Sequence, residues 1–165
     1  MIDANQIDIG LVGRPATLRQ LHFDFVEEVE DIFVATEEYM HNLCLRGVGQ
    51  AELFEQATLM LLDQNNLSRQ YIDQYFASHQ IQVADIIEVS NMDLLIDFAK
   101  ISLGVSCVIR RFVENELAGG TLIELPLASP VPKREIGFVY NASHPQSHAM
   151  KTFIEFYSAS HVPVS

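Results

Sequence analysis

Short apolar runs closed by turn residues alternate with stretches of helical period along most of this chain. Ile7–Val12 (IDIGLV) combines β-branched residues with Gly13 and Pro15 just after it, the pattern of a strand ending in a tight loop. Asp31–Thr36 (DIFVAT) is a second extended stretch. It follows a crowded acidic segment, Asp24, Glu27, Glu28, Glu30 and Asp31, which reads as a solvated loop face. From Thr58 the pattern becomes regular: the apolar run ATLMLL gives way to the turn residues Asn65 and Asn66. Ile72, Tyr75, Phe76 and His79 then recur at helical spacing. Ser68 is placed to cap that helix through its hydroxyl.

The strand–turn–helix unit repeats. Ile86–Val89 (IIEV) is a short strand, Ser90 and Asn91 are cap residues, and Leu95, Phe98, Ala99 and Ser102 form a helical stripe that Gly104 stops. Val105–Ile109 is a further strand, Arg111–Ala118 a helix closed by Gly119 and Gly120, and Leu122–Leu125 another strand. Strands alternating with single helices predict an α/β sheet with parallel pairs. Pro126, Pro130 and Pro132 interrupt the pattern before the strand Glu135–Tyr140. A last helix starts near Ser147 with Ala149, Phe153, Phe156 and Tyr157 on one face, and the tail HVPVS frays.

The middle of the chain therefore forms one continuous α/β lobe, and its two ends belong together in another. The divisions are 1–34 (part of a first lobe), 35–132 (a second lobe) and 133–165 (a return strand and helix of the first). Segments near 31–36 and 135–140 then cross between lobes as hinges, and a cleft between two lobes suits a small ligand.

Composition narrows the function. The chain has 165 residues, 48% of them hydrophobic, enough for a core, with 10 Lys plus Arg against 22 Asp plus Glu and a net charge of −12. Such an acidic chain does not grip nucleic acid by itself, because phosphate binding needs clustered Lys and Arg. The two cysteines, Cys44 and Cys107, have no CxxC spacing and read as reduced, buried thiols of a cytoplasmic protein. No signal-peptide pattern opens the chain, and no apolar run approaches the roughly 18 residues that span a bilayer.

Several segments in order carry a family resemblance. IDIGLVG (7–13), EDIFVAT (30–36), NNLSRQYID (65–73), the long run DLLIDFAKISLGVSCVIRRFVENELAGGTLIELPL (93–127), then IGFVY (136–140) and HAMKTFIEFY (148–157) together resemble the effector-binding domain of LysR-type bacterial transcription regulators. The resemblance spans nearly the whole chain and rests on order and spacing, since no single segment is diagnostic. It implies a bilobal, periplasmic-binding-protein-like (type II) α/β fold, here with one complete and one partial lobe. It also implies that the chain starts inside the domain, so that DNA is reached only through a helix-turn-helix segment this sequence does not contain. Homodimerisation and binding of a small-molecule effector between the lobes follow from the same resemblance; that the effector is anionic or polar is read from the helix-opening loops. The resemblance calls for no cofactor.

Two loops lie where ligands sit in open α/β sheets, beyond the C-terminal ends of strands: Gln64–Arg69 and Ser90–Met92. Each opens a helix, whose backbone N–H groups and dipole favour a carboxylate, phosphate or sulfate. Asn65, Asn66, Ser68, Ser90 and Asn91 add directional hydrogen bonds, and Arg69 offers a cation, although capping alone explains Ser68 and Asn91. Arg69 lies in the first turn of an exposed helix, where an arginine is more often solvated or salt-bridged to a neighbour than bound to a ligand. The resemblance adds effector contacts at Asn65, Asn66 and Ser68 and at the loop after the first strand, Gly13 and Arg14. The bulkier NNLS turn, in place of the family's small residues, points to a smaller or less charged effector.

Catalysis and metal binding have little support: no serine sits in a nucleophile elbow, and His144 and His148 lack a third ligand. His79 reads as a packed or boundary histidine and Cys107 as core. The rival readings are a transport-type solute-binding protein, an enzyme on the same two-lobe frame, and an inactive remnant that dimerises with intact regulators.

Overall fold

The computed structural model describes residues 8–14, 17–18, 21–48, 52–141 and 147–160. His144 and the tail HVPVS lie outside these residues. By contact the chain divides into two units, Met1–Glu28 with Arg134–Ser165 and Val29–Lys133.

The second unit is built on a five-stranded sheet. Its strands are β3 (Asp31–Ala35), β4 (Thr58–Leu62), β5 (Asp85–Val89), β6 (Val105–Ile109) and β7 (Ile123–Glu124), in the order β5-β4-β6-β3-β7. β4 pairs in parallel with β5 and with β6, as the alternation of strands and helices predicts. β3, read from sequence as a crossover, lies in this sheet and runs antiparallel to both β6 and β7. The sheet is therefore mixed. The helices are α1 (Glu37–Leu45), α2 (Leu53–Gln56), α3 (Leu67–Ser78), α4 (Met92–Lys100) and α5 (Glu114–Ala118).

Strand residues alternate between two apolar layers, as the two-residue period of a strand requires. Phe33, Leu59, Leu61, Val105 and Cys107 meet Leu43, Phe54, Ile72 and Phe76 of α1, α2 and α3. Ile32, Met60, Leu62 and Val108 meet Leu95, Ile96 and Ala99 of α4 with Val113 and Leu122. Both faces are covered, which is why these strands read as unbroken apolar runs. Ser106, on the second face, is fully buried and donates its hydroxyl to the carbonyl of Leu95, 2.7 Å away.

Several local expectations need correction. Gly104 does not stop α4: the left-handed residue after that helix is Ser102, at φ 61°. A Cβ on Gly104 would stand 2.4 Å from the carbonyl oxygen of Thr58, so glycine here lets the β6 entry lie against the start of β4. The helix expected over Arg111–Ala118 is a 3-10 turn at Arg110–Phe112 followed by α5, broken where Val113 adopts φ −124°. Cys44 is exposed on α1, and only Cys107 is buried. Neither forms a disulfide.

The first unit holds β1 (Ile9–Gly13), β2 (Leu21–Val29, which runs one residue past its boundary), β8 (Arg134–Asn141) and α6 (His148–Ser160). Its sheet has the order β1-β8-β2, with β1 antiparallel to β8. β2 overturns the expected acidic loop, because Leu21, Phe23 and Phe25 alternate with polar residues in a strand despite Asp24, Glu27 and Glu28. A Cβ on Gly137 would meet the Asp24 carbonyl at 2.3 Å, so β8 needs glycine to lie beside β2. The buried face of α6 also differs from expectation: Met150 is buried and Ile154 and Tyr157 half-buried, while Phe156 is 71% exposed. The rings of Phe153 and Tyr157 pack edge-on against Phe138 of β8.

Candidate functional site

The parallel pair β4–β5 ends in register, Leu62 opposite Val89, so the two loops that follow open side by side. After β4, Asp63 organises the turn: its carboxylate accepts the Asn65 N–H at 3.0 Å and its carbonyl the Asn66 N–H. Asn66 is the N-cap of α3, its side-chain oxygen accepting the N–H of Ser68 at 2.8 Å. Ser68, read as the cap, is instead the second residue of the helix and supplies the N–H being capped. After β5, Asn91 caps α4 by accepting the Leu94 N–H at 2.9 Å, and its amide nitrogen lies 3.5 Å from the Ser90 hydroxyl. The capping role expected of Asn91 holds.

Arg69 departs from the exposed first-turn position expected of it: it is only 5% exposed. Its guanidinium donates to the Leu62 carbonyl (3.0 Å), to Asp73 (2.8 Å) and to Glu88 (3.2 Å). A buried cation is tolerable only when paired in this way. Arg69 thereby ties the end of β4 to β5 and to the next turn of α3, and its charge is engaged by protein groups.

Beside these loops lies a recess of about 10 Å³, room for about one water, walled by Asp31, Ser68, Arg69, Met92 and Cys107 among others. Asp31, at the start of β3 opposite Ile109, is buried and also lines a larger neighbouring cavity. The sequence reads Asp31 as part of a solvated acidic face, which its burial in β3 overturns, and it does not single out Asp63 or Glu88. The signal for Glu88 was its place between Ile87 and Val89 on an otherwise apolar strand.

Six of the residues assigned from sequence, Asn65, Asn66, Ser68, Arg69, Ser90 and Asn91, thus share one end of the five-stranded sheet. Gly13 and Arg14 lie in the other unit, at the end of β1. There Arg14 forms an ion pair with Glu135, and its guanidinium stands 5.4 Å from the centre of the Phe23 ring. Among the described residues no group of three His, Cys, Asp or Glu side chains is placed to hold a metal ion. No helix among them is long and apolar enough to cross a membrane.

The family model of the LysR substrate binding domain matches residues 1–161. The chain belongs to the LysR substrate-binding domain family. That family consists of transcription-regulator domains rather than enzymes. The HTH-type transcriptional regulator YeiE of Escherichia coli (strain K12) is 23% identical over 159 residues, 96% of this chain and 53% of YeiE. The chain thus spans about half the length of the curated relatives it matches.

Solved LysR-type domains share the fold. The regulatory domain of CcmR from Synechocystis PCC6803, in complex with 2-PG, superposes with a TM-score of 0.77 at 16% identity, over 99% of this chain and 77% of that one. The effector-binding domain of QuiR in complex with shikimate gives 0.71 at 19% identity, over 96% and 74%. The apo regulatory domain of HypT from Salmonella typhimurium gives 0.75 at 18% identity, over 96% and 75%. The periplasmic-binding-protein-like α/β fold implied by the sequence resemblance is the one these LysR domains have.

Proposed function

We propose that this chain is the effector-sensing part of a LysR-type transcription regulator and binds a small polar metabolite at the paired loops Asn65–Arg69 and Ser90–Asn91. The observation that carries this reading is the in-register end of β4 and β5, which sets two asparagine-capped helix starts side by side. That arrangement concentrates N–H donors and side-chain amides at one edge of the sheet, where open α/β folds take their ligands. The complexes of CcmR with 2-PG and of QuiR with shikimate support a small-molecule ligand for a domain of this fold. Arg69 acts here as a positioning residue that sets the angle between β4 and α3, while Ser68, Ser90 and the amide nitrogens of Asn65, Asn66 and Asn91 contact the ligand.

In the intact regulator, occupancy shifts the balance between conformations and so changes how DNA-binding segments outside this chain are presented. The protein works in the cytoplasm as a homo-oligomer and catalyses no reaction.

The test is a thermal-shift screen of the purified chain against a few hundred small metabolites. A ligand that binds the folded state raises the melting temperature by mass action. Hits whose shift is lost in Ser68→Ala and Ser90→Ala, which leave both asparagine caps in place, place the ligand at these loops. A folded protein that answers to no metabolite refutes the reading.

A further inference from the structure

Arg69, Gln70 and Tyr71 are consecutive on α3, so their side chains leave the helix about 100° apart and reach three different places. Arg69 donates to the Leu62 carbonyl at the end of β4, and the Gln70 side-chain amide donates to the Gln64 carbonyl in the loop before the helix, at 3.2 Å. The Tyr71 hydroxyl donates to the carbonyl of Pro132 at 2.8 Å. Tyr75, one turn on and on the same face, donates its hydroxyl to the carbonyl of Ser129. Both acceptors belong to the stretch 126–133, which leads directly into β8 and so hands the chain from one unit to the other. Pro126, Pro130 and Pro132 deprive that stretch of backbone donors, and it forms neither helix nor strand. Its Val131 is buried in the same apolar layer as Ile72, Tyr75 and Phe76 of α3.

From this we infer that α3 couples the effector loop to the return stretch: a ligand that shifts Asn65–Arg69 moves the start of α3, and Tyr71 and Tyr75 carry the shift to Pro132 and Ser129. The inference concerns the regulation of the proposed effector site and rests on that reading. A helix of twelve residues is stiff, because each backbone N–H is tied one turn back, so the Asn66 cap and the tyrosine face move together. α4, which starts from the neighbouring loop, packs in the other apolar layer, whereas Leu125, Leu127 and Val131 lie in the layer of α3. The coupling therefore runs through α3 rather than α4.

The test measures how fast trypsin cuts after Lys133 in the folded, purified chain, with mass spectrometry identifying the site. At low protease that rate tracks how often the stretch opens. Asn66→Ala removes the cap of α3 and should speed this cut about fivefold, the equivalent of a typical cap. Asn91→Ala removes the matching cap of α4 and so lowers overall stability to a similar degree, yet it should leave the cut after Lys133 at the parent's rate. Asn66→Ser restores a capping oxygen and should also behave like the parent. The double substitution Tyr71→Phe, Tyr75→Phe keeps the rings and removes both tethers. It should speed the cut by itself, and adding Asn66→Ala to it should change the rate by less than about twofold, the non-additivity expected of residues acting in one chain of contacts. No effect of Asn66→Ala, equal effects of Asn66→Ala and Asn91→Ala, or a full effect of Asn66→Ala without the two hydroxyls would overturn the inference. No ligand enters this experiment, so its failure beside a successful metabolite screen defeats the coupling alone. A screen that yields no binder defeats the effector-sensing reading and, with it, the regulatory meaning of the coupling.

Discussion

Three acceptors on three different segments hold the guanidinium of Arg69, and the residue can be spared by none of them. Arg69→Met keeps much of the side-chain volume but leaves the Leu62 carbonyl without its buried donor, so it should cost about 1–3 kcal/mol. A lower urea midpoint with an unchanged slope would show this. Asn91→Ala removes the cap of α4 and should cost about 1 kcal/mol by the same measurement. Two tyrosines set the alkaline limit. Burial raises the pKa of Tyr75, and burial together with Asp24 raises that of Tyr140, both from 10.0. The folded state therefore keeps these phenols neutral when the unfolded chain begins to lose its protons. Their contribution is complete below about pH 10 and is lost as pH rises through the folded values. In Tyr75→Phe, stability measured from pH 9 to 11.5 should fall less steeply than in the parent. At this scale the sequence was partly legible: asparagine and serine after each strand announced the caps. It did not reveal which residue was the cap at α3, nor that an arginine in a first turn was buried, because both depend on where the helix starts relative to its neighbours.

Among the elements, those with a clean period were readable and those with mixed signals were not. β4, β6 and α3 follow the pattern because each buries a mainly apolar set, with Ser106 in β6 and Arg69 in α3 as the polar members. β2 was hidden by its carboxylates, since one sheet face needs only alternate residues to be apolar and the others are free to carry charge. The antiparallel course of β3 has no local signature at all, as strand direction is decided by partners distant in sequence. Gly104 makes the same point: its spacing after α4 resembles a helix stop, but its cause is the Thr58 backbone on another strand. Gly104→Ala should push β6 away from β4 and cost about 1–3 kcal/mol, read from the shift in thermal midpoint. Gly120→Ala, at φ +71° with open space around it, should cost only its backbone strain, about 1 kcal/mol.

Across the whole molecule, cohesion is unevenly distributed. The Val29–Lys133 unit buries both faces of its sheet, whereas in the other unit only Gly137, Val139, Tyr140 and Met150 among the described residues are buried. Amide exchange should therefore be slowest in β3, β4 and β6 and faster throughout β1, β8 and α6, as observed by mass spectrometry of proteolytic fragments. Protection of β8 equal to that of β4 would contradict this. Bilobal organisation was visible in the sequence from the break at Pro126–Pro132, whereas the strand order within each sheet was not. One strand also bears on how the molecule behaves in a crowd. β5 ends its sheet, and an open strand edge invites the backbone of any passing chain to add to it, the first step toward fibrils. Asp85 and Glu88 place negative charge along that edge, around the exposed Ile86, so that two copies meeting there repel before their backbones can pair. The acidity of this strand thus serves as a guard against self-templating as well as a partner for Arg69.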